Sequence, residues 1–167
     1  AVEIFGVVDV DRFEEALRLA VSEAETLHIG FLESDVGPKQ FFRSAFSFLS
    51  RPILKTVDTS SYPDPYAAAK KILNDDTLKT IDPLDDILFR FSLIKIRDNW
   101  FIWQQRYHHI VMDGLGCSLM VQRVSELYSD LCRGEAPSPS WFGSIRQATD
   151  REARYRASED FESDRRF

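Results

Sequence analysis

Apolar residues recur at helical spacing from Phe13 through Ala16, Leu17, Ala20, Val21 and Ala24 to Leu27, which predicts a helix with one buried face. Asp9 stands where the N-cap of that helix belongs, and Val2 to Val8 before it reads as a strand. His28 to Glu33 and Lys39 to Arg43 read as two strands around the turn Ser34-Asp35-Val36-Gly37-Pro38, and Ile53 to Val57 as a further short one. Asp64 to Leu78 is a second helix, with Pro65 tolerated in its first turn. After the break Asp82-Pro83-Leu84-Asp85-Asp86, Phe89, Phe91 and Leu93 alternate with Arg90 and Ser92, so Leu88 to Arg97 is a strand. Asp98-Asn99 turns it back into an antiparallel partner, Phe101 to Tyr107.

Leu115 to Arg133 carries a stripe of Met120, Val124, Leu127, Tyr128 and Leu131, and Gly134 is placed to stop that helix. Pro137-Ser138-Pro139 is a connector. Residues 144–167 balance six Arg against six Asp and Glu, as a solvated surface helix does. Strands and helices mix around a central hairpin, without the alternation of a doubly wound sheet. The expected fold is therefore α/β in composition, an α+β two-layer sandwich whose mixed, largely antiparallel sheet is packed with helices.

Composition narrows the partners. With 167 residues, 44% of them hydrophobic and 13% aromatic, the chain builds one domain with a packed core. A net charge of −6 speaks against a nucleic-acid partner and against recruitment to anionic lipid. No apolar run reaches the length of a membrane span. The chain starts mid-strand at Ala1 without a methionine, and is read as an excised piece of something longer. Cys117 and Cys132 fall on one helix, about 22 Å apart at 1.5 Å per residue, beyond disulfide reach. Free thiols suit a reducing cytoplasm.

The candidate chemistry lies between the hairpin and the strong helix, in His108-His109-Ile110-Val111-Met112-Asp113-Gly114. Two histidines at the end of a strand sit at a sheet's rim, where function collects, and an imidazole there can exchange a proton near neutral pH. Gly114 would allow a sharp turn, and Asp113 could turn inward to find a cation. An arbitrary pair of histidines is most often packed and merely hydrogen-bonded. A metal site is disfavoured because the chain holds only 3 His and no HExxH or Cys-rich spacing. A Ser–His–Asp triad lacks the glycines of a nucleophile elbow.

The segment from His108 to Gly114 matches in full the HHxxxDG motif, and the chain resembles the condensation domains of nonribosomal peptide synthetases, of the chloramphenicol-acetyltransferase-like superfamily. Glu25-Thr26-Leu27-His28-Ile29-Gly30-Phe31 is similar to the family's RHExLRTxF motif, keeping Glu25, Leu27 and Phe31. Glu23-Ala24-Glu25-Thr26-Leu27, Gln105-Arg106-Tyr107-His108-His109 and Leu131-Cys132-Arg133-Gly134-Glu135 resemble the domains of catechol-siderophore synthetases.

The resemblance implies that residues 1–167 form the N-terminal subdomain of such a domain, without its opening segment and C-terminal half. It implies amide formation between carrier-bound acyl groups in siderophore or other secondary metabolism, in the cytoplasm. No cofactor would be bound directly. The phosphopantetheine arms of peptidyl or aryl carrier proteins would deliver both substrates, and an adenylation domain and the C-terminal half would be partners in the parent chain. His109 would face the reaction centre as a base or as a positioning group. His108 would be structural, Asp113 a loop brace and Gly114 part of the turn. Where the family has arginines, this chain has Glu23 and His28, so His28 is expected to contact Asp113 as the brace. Gly116 stands where the family often has Ser, which should weaken the following helix's cap. Two alternatives remain: an acyl-CoA-dependent O- or N-acyltransferase of the same superfamily, and a non-catalytic docking module. Trp100, Trp103 or Trp141 could belong to an exposed apolar face, with core packing preferred for Trp103.

Overall fold

A computed structural model describes residues 1–44, 49–50, 52–84 and 87–166. Its strands are β1 (Val2–Phe5), β2 (Ile29–Leu32), β3 (Lys39–Phe42), β4 (Leu54–Asp58), β5 (Phe89–Arg97) and β6 (Trp100–Tyr107). Its α-helices are α1 (Val10–Glu23), α2 (Pro65–Thr77), α3 (Gly114–Arg133), α4 (Ile145–Arg156) and α5 (Glu159–Asp164). Asp85 and Asp86, the end of the expected break before β5, lie outside the described residues.

The main sheet has the order β1-β6-β5-β4. Its β1–β6 and β5–β6 pairs are antiparallel and its β4–β5 pair is parallel. Register puts Leu93 opposite Trp103 and Ile94 opposite Ile102. Because successive side chains point to opposite faces, odd-numbered Phe91, Leu93 and Trp103 join the α1/α3 core. Even-numbered Ile94, Ile96 and Ile102 meet Ala69 of α2 on the other face. The strands are thus apolar on both faces, and α2 adds a third layer to the two expected. β2 and β3 pair in a separate two-stranded sheet.

Local chemistry sets the element ends. Gly6, at φ 138°, ends β1 earlier than expected and donates its N–H to Asn99. Asp9 caps α1 by accepting from the Arg12 N–H, and Asp64 caps α2 from Ala67 with Pro65 in the first turn. Gly134, at φ 71°, stops α3. The expected run of α1 to Leu27 is broken: after Glu23 the chain tightens into a 3-10 turn, Glu25–His28, that still buries Leu27. The C-terminal segment is two helices rather than one, because Ser158 caps α5 by accepting from the Phe161 N–H. Neither α4 nor α5 buries a residue fully.

The tryptophans separate as three environments. Trp103 is buried in the core. Trp100 stacks on Phe5 and Tyr66 and donates to Glu3, and exposed Trp141 donates to Glu126. Among the described residues, no helix is long and apolar enough to cross a membrane.

Candidate active-site loop

β6 ends at Tyr107, and the next four residues form a tight turn with its base tied to the core. The His108 N–H donates to the Leu88 carbonyl at 2.9 Å, and Val111 N–H closes the turn onto the His108 carbonyl at 3.1 Å. Val111 is buried and anchors the far side. His108 Nδ1 accepts from the Ile110 N–H at 3.2 Å, which requires that nitrogen to be unprotonated and locks the ring against its own turn. His109 and Ile110 are left at the exposed tip. Among the described residues, the His109 imidazole makes no hydrogen bond or ion pair. It stands free to meet something from outside.

Asp113 follows as the N-cap of α3. Its Oδ1 accepts from the Gly116 N–H at 2.7 Å, satisfying one of the donors every helix leaves open at its start. This corrects two expectations. Asp113 is exposed, makes no ion pair among the described residues, and braces the loop by capping rather than by charge pairing. Among the described residues, the expected hydrogen bond or ion pair between His28 and Asp113 is not present. His28 Nε2 instead donates to the Val21 carbonyl at 2.7 Å, filling an acceptor that the end of α1 leaves open.

The two glycines also differ from expectation. Gly114 is the first residue of α3 without a positive φ, and a Cβ there would meet nothing within 4 Å. Its contribution is open space above the helix start rather than a turn only glycine can make. Gly116 supplies the N–H that Asp113 accepts, so the cap is intact. A Cβ on Gly116 would stand 2.5 Å from Met112 Sδ, so Met112 lies across the position a larger residue would occupy.

Beneath the loop the surroundings are apolar. The Tyr107 hydroxyl donates to Gln105 at 2.9 Å, and burial pushes its phenol far above the usual range. Burial, then the negative charge of Asp113, raise the Cys117 thiol, so it stays protonated at neutral pH. Among the described residues, no group of three or more His, Cys, Asp or Glu is arranged to hold a metal ion.

Glu23 and Glu25 hold the loop's supports. Arg123, its side chain wholly buried, takes Glu23 in a two-pronged pair at 2.7 Å and donates also to the Ser138 carbonyl and hydroxyl. The Glu23 pair and its hydrogen bond, set against burial, raise the guanidinium's pKa. Sequence reasoning missed Arg123. Its signal was a cation at helical spacing with Met120 and Leu127 on the buried stripe, and a carboxylate at Glu23 where the family has arginine. Glu25 accepts from the Ser144 hydroxyl and the Ile145 N–H, fixing the start of α4.

Comparison with known proteins identifies this architecture. The sequence matches the Condensation domain family over residues 1–167. It is 38% identical over 99% of its length to a dimodular nonribosomal peptide synthase of Bacillus subtilis, and 34% identical over 99% to an isonitrile lipopeptide synthase of Streptomyces coeruleorubidus. It is 27% identical over 99% to enterobactin synthase component F of Escherichia coli O157:H7. The chain spans only 7%, 11% and 13% of those proteins. The starter condensation domain of rhizomide synthetase RzmA superposes with a TM-score of 0.85 at 36% identity, over 93% of this chain and 37% of that one. Sequence, fold and the turn after β6 thus agree, and the chain belongs to the condensation-domain family of nonribosomal peptide synthetases.

Proposed function

We propose that, within a complete condensation domain, this chain presents His109 to the junction of two carrier-bound substrates and promotes amide formation between them. The observation that carries this reading is an unpartnered imidazole at the tip of a turn held on both sides, by buried Val111 and by the Asp113 cap. The acceptor's amine attacks the donor's thioester carbon; the C–N bond forms, the C–S bond breaks, and the amine's proton is lost as the thiol leaves. His109 either takes that proton or holds the amine in line. His108, with Nδ1 already committed to Ile110, serves the turn rather than the substrates. Asp113 and Gly114 shape the approach, and His28 supports the loop only at a distance, through the end of α1.

Phosphopantetheine arms of peptidyl or aryl carrier proteins would present both thioesters, with the C-terminal half of the domain closing the site and an adenylation domain loading a carrier. The product would be a siderophore or related secondary metabolite, which the enterobactin and lipopeptide synthase relatives support, and the reaction would take place in the cytoplasm. The test is single-turnover amide formation by the complete domain with loaded carriers. A general base is worth about 10²–10⁴-fold, so His109→Ala should reduce the rate within that range. A loss below about tenfold would assign the acceleration to tethering and alignment instead. Full activity in His109→Ala would remove the histidine from the reaction. Turnover of acyl-CoA in place of the loaded donor would favour the acyltransferase alternative.

A further inference from the structure

The separate β2–β3 ribbon turns Ile29 and Phe31 toward the core. Register pairs Gly30 with Phe41 and Leu32 with Lys39, and the Arg43 N–H donates to the His28 carbonyl at 2.7 Å. Gly30, Leu32, Phe41 and Arg43 therefore share the opposite, outer face. There the Arg43 guanidinium lies over the Phe41 ring, 5.1 Å from its centre. Its Nε and Nη2 atoms are buried, yet among the described residues neither has a hydrogen-bond partner. Gly30 makes the space for it: a Cβ there would stand 2.7 Å from Arg43 Nε and 2.7 Å from Phe41 Cζ. Nε–H and one Nη2–H form one side of a guanidinium, and that side grips both oxygens of a carboxylate in a two-pronged pair. Arg123 uses the same two atoms on Glu23, each at 2.7 Å.

A buried charge without a partner is costly, so a group that answers Arg43 is to be sought outside the described residues. The ribbon is open to one. All four residues of β3 are exposed, and Leu32 and Phe41 leave apolar surface beside the guanidinium. A two-stranded ribbon is marginal until a further element covers it. The chain spans only 37% of the solved starter condensation domain, so most of such a domain is available to do so. We propose that the outer face of the β2–β3 ribbon is an interface with the remainder of the condensation domain. The covering segment lays apolar groups on Leu32 and Phe41 and gives a carboxylate to the Nε–Nη2 side of Arg43. The Phe41 ring, which roofs the guanidinium in the chain alone, shifts to admit it. This interface does not depend on the role of His109.

The sign of one substitution tests it. In the complete domain Arg43→Met strands a carboxylate and should lower the urea midpoint by about 0.5 M. In the chain of residues 1–167 alone the same change removes an unpaired buried charge, and should raise the midpoint or leave it unchanged. Arg43→Lys keeps the charge but not the two-pronged side, so it should recover less than about half of the loss in the complete domain. Hydrogen exchange on the two unaltered proteins gives a measurement that no variant's folding can blur. The amides of residues 39–43 should exchange at least about tenfold more slowly in the complete domain than in the chain alone. A midpoint of the complete domain that Arg43→Met leaves unchanged or raises would overturn the proposal, as would an equal loss in both proteins. Full recovery by Arg43→Lys would overturn the two-pronged pair, and equal exchange of residues 39–43 in the two proteins would overturn the interface.

Discussion

At the scale of single residues, the loop separates two duties that one motif could have combined. His109 is unpartnered and exposed, while Asp113 spends its carboxylate on the Gly116 N–H. Capping and charge pairing make opposite demands on a substitution. Asn caps a helix about as well as Asp, whereas Ala loses the cap at a cost of about 1 kcal/mol. Asp113→Asn should therefore keep both the urea midpoint and the amide-forming rate of the complete domain, and Asp113→Ala should lower both. Loss of activity in the Asn variant at full stability would show that the negative charge itself is needed. The position of the histidine pair was legible in the sequence, because a strand must end before an Asp-Gly helix start. The missing His28–Asp113 brace was not, since it depends on where α1 stops. The chain leaves the helix at Ala24, and the vacant Val21 carbonyl takes the imidazole.

Among elements, the hairpin β5–β6, the stop of α3 at Gly134 and the buried stripe of α1 were all readable from period and turn chemistry. What periodicity could not supply was the coupling between α1 and α3. It runs through Arg123, a cation with a fully buried side chain, and Glu23, one hundred residues away in sequence. Such a pair returns little net stability after desolvation, but breaking a buried one costs up to about 3–5 kcal/mol. Glu23→Gln should lower the unfolding free energy by about 3 kcal/mol, the lower end of that range, because Ser138 and Glu126, 3.5 Å from the guanidinium, retain part of the support. Glu23→Leu combined with Arg123→Met should restore most of it. Denaturant titration of the wild type, Glu23→Gln and the double variant is the check, and a double variant as unstable as Glu23→Gln would contradict the account. Glu25 gives a milder test, since removing its acceptor at Ile145 should cost about 1 kcal/mol and raise amide exchange across α4.

For the molecule as a whole, the third layer was hidden because β5 and β6 are apolar on both faces, and only the register shows which side meets α2. Acid should unfold it through its paired carboxylates. Hydrogen bonds from Ser60 lower Asp58, those from Trp141 lower Glu126 and those from Ser138 lower Asp130; at Asp76, burial opposes the shift but Arg106 and Lys79 outweigh it. Depressed folded-state values stabilise above the unfolded pKa, about 4, and that stability is lost as pH falls through them. The urea midpoint should thus hold from pH 7 to about 5 and fall below about 4. The face around His109 adds a different expectation. Ile110 is 54% and Leu115 69% exposed, on either side of the loop, and a larger domain would cover such apolar groups. Alone, the chain should form no amide from loaded carriers and should self-associate through this face. Ile110→Ser with Leu115→Ser should weaken that association at least tenfold in sedimentation equilibrium while leaving the fold intact, because neither side chain is in the core. Unchanged association in that variant would move the sticky surface elsewhere, with the exposed Phe41–Phe42 pair of β3 the next place to look.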